Sequence, residues 1–173
     1  RPWLWHLAGS DKRVPGRARN VVPMTTTKNT KSGFTSEERA AMRQRAAELK
    51  AEQRKGKSPA EKAQIDRQDL LDAIAGMTGS DRDIAQALDD IVQDLAPQLG
   101  SKTWYGFPAY TKGGKVVLFL KPAAKFKDRY ATLGFEETAQ LDDGNMWPTS
   151  YAILSVGDTE KAQIEELVRR AAG

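Results

Sequence analysis

Residues 102–110, KTWYGFPAY, place four aromatic rings in nine positions. Trp and Tyr can stack on a flat ligand and hydrogen-bond it through their polar tips, so the stretch has the composition of a binding-site wall. Interpreted as a single strand, it directs Trp104, Gly106 and Tyr110 to one face, because side chains alternate along a strand. Rings packed into an ordinary core would give the same pattern, and both interpretations stay open.

A second cluster, KPAAKFKDRY at 121–130, supplies positive charge. In an extended segment Lys125, Lys127 and Arg129 point the same way and repel one another unless an anion neutralises them. The guanidinium of Arg129 matches a carboxylate or a phosphate. A charged edge that discourages pairing between strands is the alternative. We predict a pocket for a small anionic ligand, formed by Trp104, Tyr110, Lys121, Lys125, Arg129 and Trp147.

Carboxylates offer a different chemistry. Asp83, Asp90 and Asp94 share one face of a predicted helix, with Asp89 flanking them, and oxygen ligands of this kind could hold Fe²⁺ weakly. A solvated face of any amphipathic helix has the same appearance. The DDGN stretch at 142–145 lacks the register of a calcium loop and is interpreted as a turn.

Composition excludes several classes of active site. The chain has no cysteine, and its one histidine is His6, so cysteine nucleophiles, thiolate metal sites and histidine triads in the main body are excluded. The GKSPAEK stretch lacks the spacing of a phosphate-binding loop. We therefore predict no catalytic residue and no required cofactor, with iron as the one candidate.

The elements that position these residues follow from periodicity and capping signals. Thr35 with Glu38, and Ser58 with Glu61, predict two helix starts, and Ser80 with Asp83 a third. From residue 103 the period changes to two, GlyGly at 113–114 predicts a hairpin turn, and a closing helix starts at 158 or 159. We predict an α+β fold: an antiparallel sheet of four to five strands with helices packed on one face, preceded by an exposed charged helix.

Charge divides the chain into unequal parts. Residues 1–31 carry seven Lys/Arg and one Asp, whereas residues 63–173 carry twelve Lys/Arg and seventeen Asp/Glu. We predict a disordered or extended basic tail over 1–33, with a natural start at Met24, a charged helix over 34–57, and the α+β domain over 58–173. A basic arm at 1–57 could bind nucleic acid, but the acidic body argues against it. Apolar runs such as 116–120 are too short to span a membrane.

Three stretches, TWYGFPAY, GGKVVLFLKPAAKFKDRYATLGF and LDDGNMWPTSYAI, resemble the YdhG-like domain-of-unknown-function family in order and spacing. A leading helix, GFTSEERAAMRQRAAELKAE, resembles one of its subgroups, and together the resemblance covers about residues 33–172. It implies a small cytoplasmic bacterial α+β protein, loosely grouped with the YjbR and frataxin-like CyaY proteins. That grouping also implies iron carriage as a hypothesis, and it implies no reaction.

Overall fold

A computed structural model describes residues 34–52 and 58–173 of the chain. Five helices and five strands follow in the order α1 (Ser36–Glu52), α2 (Pro59–Ala75), α3 (Gly79–Leu95), β1 (Gly100–Trp104), β2 (Phe107–Lys112), β3 (Lys115–Lys121), α4 (Ala123–Phe126), β4 (Ala131–Phe135), β5 (Ser150–Ile153) and α5 (Asp158–Ala172). The predicted α+β class and the N-terminal helix are confirmed. Residues 1–33 and 53–57 lie outside the described part, so the basic tail, the start at Met24 and the nucleic-acid arm stay predictions.

Local signals explain where the helices begin. Thr35 and Glu38 exchange side-chain-to-backbone hydrogen bonds at the start of α1, and Ser58 and Glu61 do the same for α2. Each capping box satisfies donors that the first turn leaves open. The third helix begins at Gly79, after Thr78 and not at the predicted Ser80. Asp81 lies in the first turn of this helix and is buried.

The sheet is an antiparallel meander with the strand order β1-β2-β3-β4-β5. Gly113 and Gly114 both have positive φ, 58° and 81°, and form the predicted two-residue turn between β2 and β3. Positive φ at both central positions gives the turn the twist that hairpin strands require. The chain meanders without crossovers, so residues near in sequence form neighbouring strands.

One face of the sheet is covered by α2, α3 and α5, and we call it the helix-covered face. Its core joins apolar residues from all three helices with alternate residues of the strands, including Leu70, Ile84, Leu88, Val168, Tyr110, Leu118 and Leu133. The opposite, outer face carries Phe107 and Phe119, and Gly134 lets the ring of Phe119 lie close against β4. Helices α2, α3 and α5 thus share one core with the helix-covered face of the sheet.

No helix in the described ranges 34–52 and 58–173 has the length and apolar character needed to cross a membrane. The part of the chain from Phe34 to Gly173 forms one compact unit.

Candidate functional site

Residues 102–110 form part of a hairpin of β1 and β2, so the prediction of a single strand is wrong. Tyr105 and Gly106 have φ of 52° and 73°, and Trp104 pairs with Phe107 across the turn. The two left-handed residues reverse the chain between β1 and β2. As a result Trp104 and Phe107 share the outer face, whereas Tyr110 lies on the helix-covered face.

The outer face near this turn forms an open depression, which we call the aromatic groove. It has a volume of about 280 Å³ and is lined by Phe34, Glu38, Ala41, Met42, Trp104, Tyr105, Phe107, Phe119, Lys121 and Phe126. The ring of Trp104 meets Phe119 edge-on with 5.1 Å between centroids, and Phe107 meets Phe126 at 6.0 Å. Edge-to-face contacts of this kind hold rings in fixed orientations, so the floor of the groove is preformed.

Helix α1 forms one wall of the groove, and polar contacts attach it to the hairpin. The carboxylate of Glu48 accepts hydrogen bonds from the backbone N–H groups of Tyr105 and Gly106, at 3.2 and 2.9 Å. Lys102 donates to Glu52 at 2.6 Å. Ala41 is the buried residue of α1, and these bonds explain how a helix with so little buried apolar surface can still dock.

Lys125 completes the attachment from the other side of the turn. Its Nζ donates to Gln44 Oε1, at 2.6 Å, and to the carbonyls of Tyr105 and Gly106, at 2.9 and 3.1 Å. Burial lowers the pKa of Lys125, and the charge of Glu48 opposes that shift. Three acceptors match the three donors of an ammonium, so the amine has a structural partner for each proton.

The predicted alignment of three basic residues is wrong, because residues 123–126 form the short helix α4 and not an extended segment. Lys127 ends it in the left-handed conformation, with φ of 58°. Both carboxylate oxygens of Asp81 accept from the first two N–H groups of α4, those of Ala123 and Ala124, at 2.9 and 2.8 Å. This long-range cap turns the chain, so Lys125 and Lys127 diverge: Lys125 binds the β1–β2 turn and Lys127 pairs with Glu37.

Of the six predicted ligand-binding residues, Trp104 and Lys121 line the aromatic groove. Lys121 Nζ lies 4.7 Å from the centroid of Phe126 and is paired with Asp128 at 2.7 Å. Lys125 also lies over this ring, with its Nζ 5.7 Å from the centroid. Two of the six predicted residues thus lie over Phe126, and a third, Trp104, lines the same groove.

The other three predicted residues lie elsewhere. Tyr110 is fully buried, and its hydroxyl donates to Asp89 at 2.9 Å. Arg129 is exposed and stacks over Tyr130 at 5.2 Å. Trp147 is half-buried and packs against the core of the helix-covered face. None of them lines the groove, so the six residues do not form one pocket.

Asp89, predicted only as a flanking carboxylate, is a buried polar centre. Arg67 donates to it through both terminal nitrogens, at 2.5 and 2.7 Å, in addition to the bond from Tyr110. Burial raises the pKa of Tyr110 well above its usual value of 10.0, and the charge of Asp89 adds to the shift. This trio joins α2, α3 and β2.

The predicted iron ligands do not converge. Asp83 and Asp90 line a shallow cavity of about 430 Å³ together with Lys161, and Asp94 is exposed. Asp90 also accepts from Gln86 at 2.9 Å. Within residues 34–52 and 58–173, no three acidic or histidine side chains are grouped so that they could hold a metal ion.

A larger cavity of about 680 Å³ lies between α1, α2 and α4, and sequence reasoning missed it. Its lining is acidic and includes Glu48, Asp72 and Asp81. Each of these has a partner inside the protein: the hairpin turn, Gln68 and the start of α4. The carboxylates therefore stabilise the fold around the cavity.

Sequence reasoning also missed Phe107, Phe119 and Phe126 as groove residues. A signal for them exists, since recognising Tyr105-Gly106 as a turn would have placed Phe107 beside Trp104. Comparisons of the chain with family models, with curated proteins and with solved structures find no match.

Proposed function

We propose that this protein is a non-catalytic binding domain that holds a small, flat, anionic ligand in the aromatic groove. The observation that carries the proposal is an open apolar surface on a folded domain: five rings line it together with two exposed side chains, Phe34 just before α1 and Met42 of α1, which are 58% and 40% exposed. Contiguous apolar patches of this kind commonly mark binding sites.

The volume and lining of the groove limit the ligand. At about 280 Å³ it is at the small end of ligand sites, which suits one ring system and not an extended cofactor. The lining offers ring faces and edges together with few polar groups. A flat aromatic or heteroaromatic group fits this surface best, because it can stack on or meet the existing rings.

Lys121 supplies the reason for an anionic group. Its ammonium lies at the rim, over the face of Phe126, and its partner Asp128 is an exposed carboxylate. An exposed ion pair of this type contributes little to stability and can exchange partners. A ligand carboxylate at the rim would take the place of Asp128.

The test uses indole-3-acetate as the anionic probe and 3-methylindole as its neutral counterpart, titrated into the full chain and followed by two-dimensional NMR. We expect both to perturb groove signals and the anion to bind more tightly. Lys121→Met should weaken only the anion, by about fivefold, and Asp128→Asn should strengthen it by a similar factor. Lys115→Met, at an exposed lysine that begins β3, is the matched control. The proposal would be overturned if neither probe bound, or if K121M and K115M changed the affinity for indole-3-acetate equally.

We further propose that the chain is a cytoplasmic bacterial protein of the YdhG-like family. The support is the resemblance of its sheet-forming stretches, together with an α+β architecture of the kind that the resemblance implies. An experimental structure of a YdhG-like protein tests this. It should show the same five-stranded meander and a helix docked on the first hairpin; a different strand order would contradict the assignment.

A further inference from the structure

The two edge strands of the sheet differ in how far they are protected from pairing with other strands. The edge strand β1 packs beside α2 and carries Lys102, which pairs with Glu52 of α1. Helices and charged side chains are common means of protecting an edge from other strands. The opposite edge strand, β5, belongs to the stretch TSYAILS at 149–155, which has no charged residue. The sheet order ends at this strand within the described residues.

The register of β5 shows which of its backbone groups face outward. Phe135 N–H donates to the carbonyl of Thr149 at 2.9 Å, which makes these two a hydrogen-bonded pair. Such pairs alternate along antiparallel strands, so Tyr151 and Ile153 also bond to β4. Ser150 and Ala152 therefore direct their N–H and C=O groups away from the sheet.

Beside this edge lies a depression between β5 and α5, with a volume of about 370 Å³ and a lining of both apolar and polar side chains. Its lining includes Tyr151, Ile153, Leu154, Ile164 and Leu167. Leu154, the residue directly after β5, is 63% exposed. An outward-facing backbone and exposed apolar side chains thus occur at the same place.

We propose that this edge is the dimer interface of the protein, and that its occupant is β5 of a second copy, running antiparallel about a twofold axis. Ser150 of one copy faces Ala152 of the other, and the two pairs exchange about four backbone hydrogen bonds. Tyr151 then lies opposite Tyr151 on the axis, where the side chains of a non-hydrogen-bonded pair are close. The two sheets become continuous.

Charge favours a second copy as the occupant. The first turn of α5 is acidic, with Asp158 and Glu160, and its last turn is basic, with Arg169 and Arg170. A twofold axis at β5 places the two α5 helices on the same side of the joined sheet in opposite directions. The acidic first turn of each α5 then points toward the end of its mate that carries Arg169 and Arg170, so opposite charges approach across the axis, although Arg169 also pairs with Glu165 and Glu166 of its own helix.

Sedimentation velocity of the full chain, from low micromolar to near-millimolar concentration, tests the proposal. We expect a reversible dimer, and Leu154→Lys should weaken it by at least about tenfold because it adds a charge to the edge. Leu49→Lys, at an exposed leucine of α1, is the matched control and should leave the dimer intact. Circular dichroism melting checks that both variants fold. A wild-type chain that is monomeric throughout, or a dimer that L154K leaves unchanged, would overturn the proposal.

Discussion

The two faces of the sheet differ in burial and polarity, although residues of the same hairpin contribute to both. On the helix-covered face, Tyr110 is fully buried and its hydroxyl is bonded to Asp89, which also binds Arg67. On the outer face, Trp104 and Phe107 meet other rings at an open groove. One face satisfies each polar group internally, whereas the other leaves apolar surface available. The difference indicates that the first face supplies stability and the second is the better candidate for binding.

The largest effect that separates the faces is expected at Asp89. Asp89→Ala removes the acceptor shared by Arg67 and Tyr110 and should cost about 3 kcal/mol in the free energy of unfolding, the low end for a broken buried pair because Arg67 is partly exposed. Urea unfolding measures it. Probe binding in the groove should stay unchanged, and a cost below about 1 kcal/mol would show that the trio is not a stabilising centre.

A smaller effect is expected at the turn between β1 and β2. Gly106→Ala should cost about 2 kcal/mol, because φ is 73° and the new methyl would lie 2.2 Å from Gln44 Oε1 and 2.5 Å from Lys125 Nζ. Gly113→Ala is the matched control: its φ is also positive, 58°, but nothing lies within 4 Å, so only backbone strain applies. Equal losses in the two variants, compared by thermal unfolding, would mean that the contacts around Gly106 add nothing.

On the outer face, Trp104→Ala should cost about 1.5 kcal/mol, less than a core tryptophan, because the ring is only half-buried. It should abolish binding of indole-3-acetate. Trp147→Ala is the control, since that ring packs against the core and lines no part of the groove. NMR titration of both variants decides between them: a similar loss of probe binding in W147A would place the site elsewhere.

The smallest effect concerns a single hydroxyl. Tyr110→Phe should cost about 1 kcal/mol at neutral pH. Because the pKa of Tyr110 is raised in the folded state, the folded protein keeps a proton that the unfolded chain releases above pH 10.0. This contribution is complete below that pH and declines as the pH rises above it. Melting temperatures from neutral to alkaline pH should therefore fall less steeply for the variant, and parallel curves would contradict the argument.

Local signals were sufficient for most of the fold. The capping boxes at Thr35 and Ser58 and the turn at Gly113–Gly114 depend on residues within a few positions of one another, so they are legible in the sequence. The β1–β2 turn is different. Tyrosine is an unusual residue at positive φ, and Glu48, 57 positions before Tyr105, binds its N–H. Asp81 likewise sets α4 from 42 positions away.

Only part of the candidate site could be predicted from the sequence, because contacts between distant residues place the rest. Composition singled out Trp104 and Lys121, which do line the groove, but it grouped them with Tyr110 because a continuous strand was assumed. Helical spacing placed Asp89 among the solvated carboxylates of α3. Asp89 is buried because it pairs with Arg67 of a neighbouring helix. A pair between two helices produces no periodic pattern in the sequence of either helix, so it could not be predicted.

The attachment of α1 has a consequence for the groove itself. Helix α1 holds the hairpin through Glu48 and Glu52, and its Glu37 pairs with Lys127 at the end of α4. Charged contacts at a surface weaken as ionic strength rises, whereas packed aliphatic cores do not. Met42 belongs to α1 and Phe34 lies two residues before it, so the position of both groove side chains depends on how that helix is docked. Concentrated salt should thus loosen α1 and widen the aromatic groove while the rest of the domain stays folded.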